Sequence, residues 1–139
     1  MLDFKFIKFR SIYKYMKIII KTKNLESSEA LEDFIEEKIL GLKKFIDVLK
    51  DDSGVGKTLA EVFVEIEKET KHHKSGNIYL AKAQLQLPGK KMIVARAKAD
   101  MPSKAIVLVK KELKKEIEKY KGKKIALHDR KIRKLKELR

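Results

Sequence analysis

Apolar and polar residues alternate singly along four segments of the chain, which is the period of a half-buried β-strand. These segments are residues 16–24, 60–69, 77–87 and 91–100. Two further segments, 27–49 and 102–121, carry apolar residues at every third or fourth position, which predicts amphipathic helices. The order β-α-β-β-β-α predicts an α+β fold with one four-stranded sheet and two helices on one face. Alanines in the last two predicted strands would let a helix pack close to that sheet.

Both predicted helices begin with residues suited to a helix N-terminus. Ser27 or Ser28 can cap the first helix by accepting a backbone hydrogen bond. Asp100 is predicted to cap the second helix, with Pro102 in its first turn. Gly122 is predicted to end that helix. The predicted domain therefore covers residues 16–122.

Two end segments lie outside this pattern. Residues 1–15 hold five of the ten aromatic residues, and this composition suits a membrane-surface segment or an extra strand. The favoured interpretation is an N-terminal extension from a mis-called start, with natural translation beginning at Met16. Residues 123–139 are predicted to form either a helix or a solvated basic C-terminal tail.

Charge is distributed unevenly along the chain. The formal net charge is +15, and the chain has no cysteine, which excludes disulfides and thiolate metal sites. Residues 1–24, 71–109 and 110–139 carry +6, +7 and +9, whereas residues 25–70 carry −7. The first predicted helix has an acidic outer face composed of Glu29, Glu32, Asp33, Glu36 and Glu37. This pattern suggests one face for a polyanion and another kept away from it, although a generally basic surface without a partner is the simpler alternative.

Membrane insertion and secretion find no support in the sequence. The longest apolar runs, such as Ala105 to Val109, are far shorter than the roughly 20 residues that span a bilayer. No apolar segment follows a basic start as in a secretory signal. The sequence therefore predicts a cytoplasmic protein.

Three chemical signals are weak. The stretch SGVGKT resembles a phosphate-binding loop, but that motif needs a glycine where Asp51 stands. His72 and His73 are adjacent, and with only His128 elsewhere they do not complete a four-ligand zinc site. No acid, base and nucleophile converge in the sequence. The prediction is a protein without catalytic residues, metal or cofactor. The two histidines are either exposed turn residues or contacts to phosphate and stacked bases.

Five motifs occur in the order and at the spacing of one known family. They are KIIIKTKNLE, SSEALEDFIEEKI with LKKF behind it, KHHKSG, LPGKKMIVARAKAD and KAIVLVKKELKKEIEKYKGK. Over residues 16–124 the chain resembles the ribosome hibernation-promoting factor and ribosome-associated translation inhibitor family, also known as sigma modulation proteins. The resemblance implies a fold similar to double-stranded-RNA-binding domains. It also implies a protein of the short type that binds the small ribosomal subunit at the decoding region and catalyses no reaction.

The resemblance further implies inhibition of translation by occlusion of mRNA and of the A-site and P-site tRNAs. The predicted partner is the small ribosomal subunit, with rRNA as the main contact and ribosomal proteins as a further one, and the protein is predicted to be a monomer off the ribosome. Many family members have an aromatic residue followed by AID where this chain has Pro102 and Val107, so local contacts at that turn differ. The alternatives are a general double-stranded-RNA-binding protein and a protein-binding regulator acting through the acidic first helix.

The predicted RNA-binding residues are cations and histidines that can contact phosphate, which gives affinity without reading sequence. They are Lys21 and Lys23 of the first strand, Lys71, His72, His73 and Lys74 of the KHHKSG turn, Lys82, Arg96 and Lys98 of the sheet, and Lys104, Lys111, Lys114 and Lys115 of the second helix. The sheet and helix residues are predicted to form one combined surface, with the turn at its edge.

Overall fold

A computed structural model describes residues 5–13, 16–50, 60–69, 76–87 and 92–138. The strands are β1 (Lys5–Tyr13), β2 (Met16–Lys23), β3 (Ala60–Lys68), β4 (Tyr79–Gln86) and β5 (Ile93–Ala99). The helices are α1 (Glu29–Leu40), α2 (Lys43–Lys50) and α3 (Pro102–Glu137). All four predicted strands are present within one residue or two of their predicted ends.

The sheet has the order β1-β2-β3-β4-β5, with β2 parallel to β3 and every other pair antiparallel. The predicted α+β fold and the β-α-β-β-β-α order from residue 16 onward are confirmed. A fifth strand extends the sheet, because residues 5–13 pair antiparallel with β2. Strand formation was one of the interpretations of residues 1–15, and the translation start at Met16 stays a prediction.

One face of the sheet supplies more than half of the buried core residues. Alternate residues of every predicted strand are buried there, from Ile18 and Ile20 on β2 to Ala83 on β4 and Ala95 on β5. The buried helix residues Ile35, Ile39, Leu42, Ile46, Ala105, Ile106, Val109, Leu113 and Ile117 join them in a single cluster. All three helices therefore pack on this face. The opposite face, which we call the open face, is not covered by any helix of the described residues.

The first predicted helix is interrupted at Gly41. The Leu42 amide donates to the Ile39 carbonyl at 2.9 Å, a tightened turn that separates α1 from α2. A Cβ on Gly41 would stand 2.8 Å from Lys110 Nζ, so the lysine of α3 lies against the bare glycine. The cation thereby approaches the carbonyl end of α1, where the helix dipole favours positive charge.

The helix N-termini differ in how they are capped. Ser28 caps α1, since its Oγ accepts a hydrogen bond from the Leu31 amide at 3.1 Å. The prediction that Asp100 caps α3 is wrong, because the N-cap is Met101 and makes no side-chain hydrogen bond. Asp100 instead forms an ion pair with Lys104, 3.3 Å between Oδ1 and Nζ.

Glu32 does not belong to an outer acidic face as predicted. It is only 3% exposed, and its Oε1 accepts a hydrogen bond from Ser27 Oγ at 2.9 Å. Glu29, Asp33 and Glu37 are exposed on α1. They follow one another at intervals of four residues and so form one ridge, which we call the acidic ridge.

The second predicted helix does not end at Gly122. It continues as α3 to Glu137, giving 36 residues in one helix. At 1.5 Å per residue its length is about 54 Å. Residues 123–137 therefore follow the helical alternative predicted for the C-terminal segment.

Thr22 offers a test of the packing beneath β2. Its Oγ1 is buried without a hydrogen-bond partner among the described residues. We expect Thr22→Val to raise the free energy of unfolding by about 1 kcal/mol, because valine has the same shape and no hydroxyl to desolvate. Urea unfolding measures the change, and Thr22→Ala, which opens a cavity, should lower stability. A less stable Thr22→Val protein would contradict the expectation.

Candidate nucleic-acid interface

A row of charged residues crosses the open face at the middle of the sheet. Strand pairing aligns Lys21 with Glu65, Glu65 with Lys82, and Lys82 with Arg96. Lys21 Nζ lies 3.4 Å from Glu65 Oε2. Lys82 and Arg96 form no ion pair with another described residue, so the uncompensated positive charge of this row lies on β4 and β5.

A second charged row lies nearer the β3–β4 connection. Lys23 Nζ is 3.7 Å from Glu67 Oε1, and Lys98 Nζ is 2.8 Å from Glu69 Oε1. Three of the predicted RNA-binding lysines, Lys21, Lys23 and Lys98, thus have glutamate partners at the C-terminal half of β3 or just beyond it. The prediction overlooked these partners. The signal was present, because Glu65 and Glu67 alternate with buried residues and must share the open face.

The ion pairs between β2 and β3 reduce the positive charge that is available there to bind phosphate. Lys21, Lys23, Glu65 and Glu67 are each between 20% and 29% exposed on their side chains, so the pairs are partly shielded from water. Lys98, by contrast, is 62% exposed and can reach solvent beyond Glu69. The open face is therefore most available for anions at β4 and β5.

The outer surface of α3 carries a separate group of cations. Lys104, Lys111 and Lys115 are exposed and recur at intervals of seven and four residues, which places them on one side of the helix. Lys104 pairs with Asp100, and Lys115 Nζ lies 3.3 Å from Glu112 Oε1. Such exposed pairs are worth only about 0–1 kcal/mol and yield readily to a phosphate. Lys111 forms no ion pair with another described residue.

Lys114 lies on a different side of α3. Its Nζ stands 4.9 Å from the centre of the Phe45 ring, and Lys44 Nζ of α2 stands 5.1 Å from the same ring. The two cations share the electron-rich ring, an attraction worth about 0.5–1 kcal/mol at exposed sites. Lys114 is therefore directed toward α2 and not toward the outer surface of α3.

The sheet cations and the helix cations occupy opposite faces of the domain. Lys82, Arg96 and Lys98 project from the open face, whereas α3 packs against the other face of β4 and β5. Because β5 is the last strand of the sheet, both groups lie at the same edge. We call this the β5–α3 edge and define it by Lys82, Arg96, Lys98, Lys104, Lys111 and Lys115. A partner that contacts both groups must wrap around β5.

The KHHKSG turn falls largely outside the described residues, including Lys71, His72, His73 and Lys74. The neighbouring chain is closed by a 2.9 Å hydrogen bond from the Glu69 amide to the Ile78 carbonyl. The connection therefore leaves the sheet beside the row that contains Lys23 and Lys98. Direct participation of the turn in binding stays a prediction.

The described residues offer neither a metal-binding cluster nor a membrane-spanning helix. Within the described ranges no group of three His, Asp or Glu side chains is placed to hold a metal ion. His128 is exposed on α3. None of the described helices is both long and apolar enough to cross a bilayer.

An α+β domain with cations along one edge has the features of a polyanion-binding protein. Over residues 18–125 the chain matches the family described as sigma 54 modulation protein / S30EA ribosomal protein. The chain belongs to this family, whose members are ribosome-associated proteins that modulate translation and ribosome hibernation.

The fold is shared with one solved structure, and a second solved structure is similar to the chain at a lower score. The N-terminal domain of Protein Y from Thermus thermophilus is similar, with a TM-score of 0.54 at 18% identity, covering 78% of this chain and 99% of that one. A ribosomal subunit interface protein from Coxiella burnetii shows a TM-score of 0.49 at 19% identity, covering 77% and 97%. No curated protein sequence matches the chain.

Proposed function

We propose that this protein is a cytoplasmic hibernation factor that binds the small ribosomal subunit at the decoding region. It inhibits translation by occluding mRNA and the A-site and P-site tRNAs, and it catalyses no reaction. Residues 16–122 form the ribosome-binding domain, and the free protein is a monomer. Family membership supports ribosome association, and the decoding region as the site is our inference.

The observation that carries the proposal is the segregation of charge. Cations line the β5–α3 edge on both of its faces, whereas α1 carries the exposed acidic ridge. A domain with such a field is attracted to phosphate along one edge and repelled along another, which orients it as it approaches RNA. An edge with cations on two faces suits a cleft lined by RNA on both sides better than a single flat helix.

Occlusion follows from the chemistry of the competitors. mRNA and tRNA are polyanions held in the same cleft, so a folded basic domain there excludes both by volume and by competition for cations. Contacts to phosphate and ribose require no particular base sequence. Inhibition should therefore be independent of which message is translated.

The proposal predicts competition on isolated subunits. Labelled protein bound to purified small subunits should be displaced by mRNA together with tRNA, because the ligands share one site. Binding should weaken steeply as salt rises from 0.05 to 0.2 M, since each neutralised phosphate adds to the salt dependence. Filter binding measures both effects. Simultaneous binding of protein, mRNA and tRNA, or a flat response to salt, would overturn the proposal.

A free RNA duplex of 20 base pairs separates the proposal from general double-stranded-RNA binding. We expect its affinity to be at least about 100-fold below that of the small subunit, because specific sites commonly exceed non-specific ones by 10³ or more. Equal affinity for the two would favour a general double-stranded-RNA-binding protein.

The acidic ridge favours a second candidate function. Glu29, Asp33 and Glu37 could bind a basic protein, as a protein-binding regulator would require. Reversal of Glu29 and Glu37 to lysine, with both residues exposed on α1, tests this candidate. Loss of activity in that variant with full retention of small-subunit binding would support it.

A further inference from the structure

The last half of α3 extends beyond the sheet. Only Asp100 and Met101 connect β5 to α3, and α3 packs along β5 and β4, so the helix must return antiparallel to β5. The seven residues of β5 span about 24 Å, a length covered by about 16 helical residues. The helix should leave the sheet near residue 118, and its last buried residue is Ile117.

The segment beyond the sheet, residues 121–138, is here called the arm. Every side chain described in it is exposed, including Ile125, Leu127 and Leu135. Its length is about 27 Å at 1.5 Å per residue. It carries eight Lys or Arg and two acidic residues, a net charge of +6. The arm is thus a strongly cationic, exposed continuation of α3 without a packing partner among the described residues.

We propose that the arm binds the phosphate backbone of a double-stranded RNA helix, as a second binding element in addition to the β5–α3 edge. Lys123, Arg130 and Lys134 are seven and four residues apart and so lie on one side of the helix. Lys131 and Arg133 flank that side. The axial steps along the row are about 10 and 6 Å. A row of cations along one side of a helix complements the regularly spaced phosphates of a duplex by charge.

Energetics of the isolated arm favour an anionic partner. The arm has no tertiary packing among the described residues, and such packing supplies most of the stability of helices in proteins. Gly122 costs about 1 kcal/mol relative to alanine, and like charges repel along the arm. A row of phosphates removes that repulsion and stabilises the helix.

A second copy of the chain fits the arm less well. Ile125, His128, Ile132 and Leu135 follow the spacing of a coiled-coil seam. The seam covers 11 residues, whereas a coiled coil usually needs three or four heptads. Two arms would also bring charges of +6 together, whereas RNA neutralises them.

Two matched variants separate the partners. The cation variant combines Lys123→Gln, Arg130→Gln and Lys134→Gln. The seam variant combines Ile125→Gln, Ile132→Gln and Leu135→Gln. All six positions are exposed, so both proteins should fold like the wild type. The probe is a labelled 20-base-pair RNA duplex of arbitrary sequence, titrated with the full chain at several salt concentrations.

The cation variant should bind the duplex about tenfold more weakly at 0.1 M salt. Its log–log salt slope should fall by about 2–3, the value for three lost phosphate contacts. The seam variant should bind like the wild type, and the duplex should increase helical circular dichroism of the wild type. An unchanged slope in the cation variant would overturn the proposal. So would a loss of binding confined to the seam variant, or a stable dimer in sedimentation that the seam variant abolishes.

Binding of an RNA duplex by the arm does not require the small subunit as partner. The duplex titration decides whether the arm binds RNA, whereas competition with mRNA and tRNA on subunits decides the proposed function. A negative result in one experiment therefore does not change the interpretation of the other.

Discussion

Combined reversal of Arg96 and Lys111 to glutamate is expected to weaken binding to small ribosomal subunits about 100-fold at 0.1 M salt. Each single reversal should weaken binding about tenfold. One charge-assisted contact to phosphate is worth about 1.5–3 kcal/mol, and hydration of the side chain in the unbound protein offsets part of this. Arg96 lies on the open face and Lys111 on the outer surface of α3. Because the two are on opposite faces, their effects should add if the RNA wraps around β5.

The choice of positions follows from the ion pairs. Reversal of Lys98 would leave Glu69 beside a new carboxylate, since the two side chains are 2.8 Å apart. Arg96 and Lys111 have no such partner among the described residues, so their reversal should leave folding within about 0.5 kcal/mol. Circular dichroism and urea unfolding verify this before binding is measured.

The matched control reverses the opposite charge on α1. Glu29→Lys with Glu37→Lys also changes net charge by four units, at exposed positions. Glu32 is unsuitable because it is buried. The control should bind subunits as tightly as the wild type or slightly more tightly. A cell-free translation assay should rank inhibition in the same order. Equal loss of inhibition in the two variants would indicate a protein partner. Weaker binding on reversal of Arg96 alone, with no effect from reversal of Lys111, would exclude a partner that wraps around β5.

The largest expected effect on stability comes from Ala83→Leu. Ala83 is completely buried on the face of β4 that meets α3. Leucine adds three carbon atoms where helix and sheet are already in contact, and overpacking of this kind costs about 2–3 kcal/mol. For a chain of this size the melting temperature should fall by roughly 10 °C.

The neighbouring residue provides the control. Gln84 points to the open face and is partly exposed. Gln84→Leu adds a leucine at the adjacent position and should change the free energy of unfolding by less than about 0.5 kcal/mol. Equal destabilisation by the two substitutions would contradict the close approach of α3 to the alanines of the sheet.

The alternation of apolar residues was sufficient to predict every strand from β2 to β5. Burial of one face imposes a period of two, as in Ala81, Ala83 and Leu85.

Helix ends were harder to predict. Gly122 suits a helix stop by its local preference, yet that preference is worth only about 1 kcal/mol, and the residues after it continue the helix. The burial of Glu32 depends on how α1 is rotated against the sheet, which the sequence pattern does not specify to one residue.

The candidate site was predicted in part. The sequence predicted Arg96 and Lys111 as exposed cations. The strand period of two and the helix period of 3.6 each place the cation on the side opposite the buried residues. The partners of Lys21 and Lys98 depend on which strand lies beside β2 and β5 and in which register. Those are long-range properties of the sheet, so a list of cations alone overestimates the positive charge of the open face.

The outer edge of β5, which pairs with no other described strand, has a consequence for solubility. An edge strand with unpaired amides and carbonyls can pair with the same strand of another molecule and start aggregation. Val94 of β5 and Met92 just before it are both exposed. Arg96 and Lys98 place positive charge beside these residues, and charge of one sign on an edge strand keeps copies of a protein apart. The residues proposed to bind RNA would therefore also prevent self-association of the unbound protein. Variants that replace them with apolar residues should precipitate at temperatures below their unfolding transition.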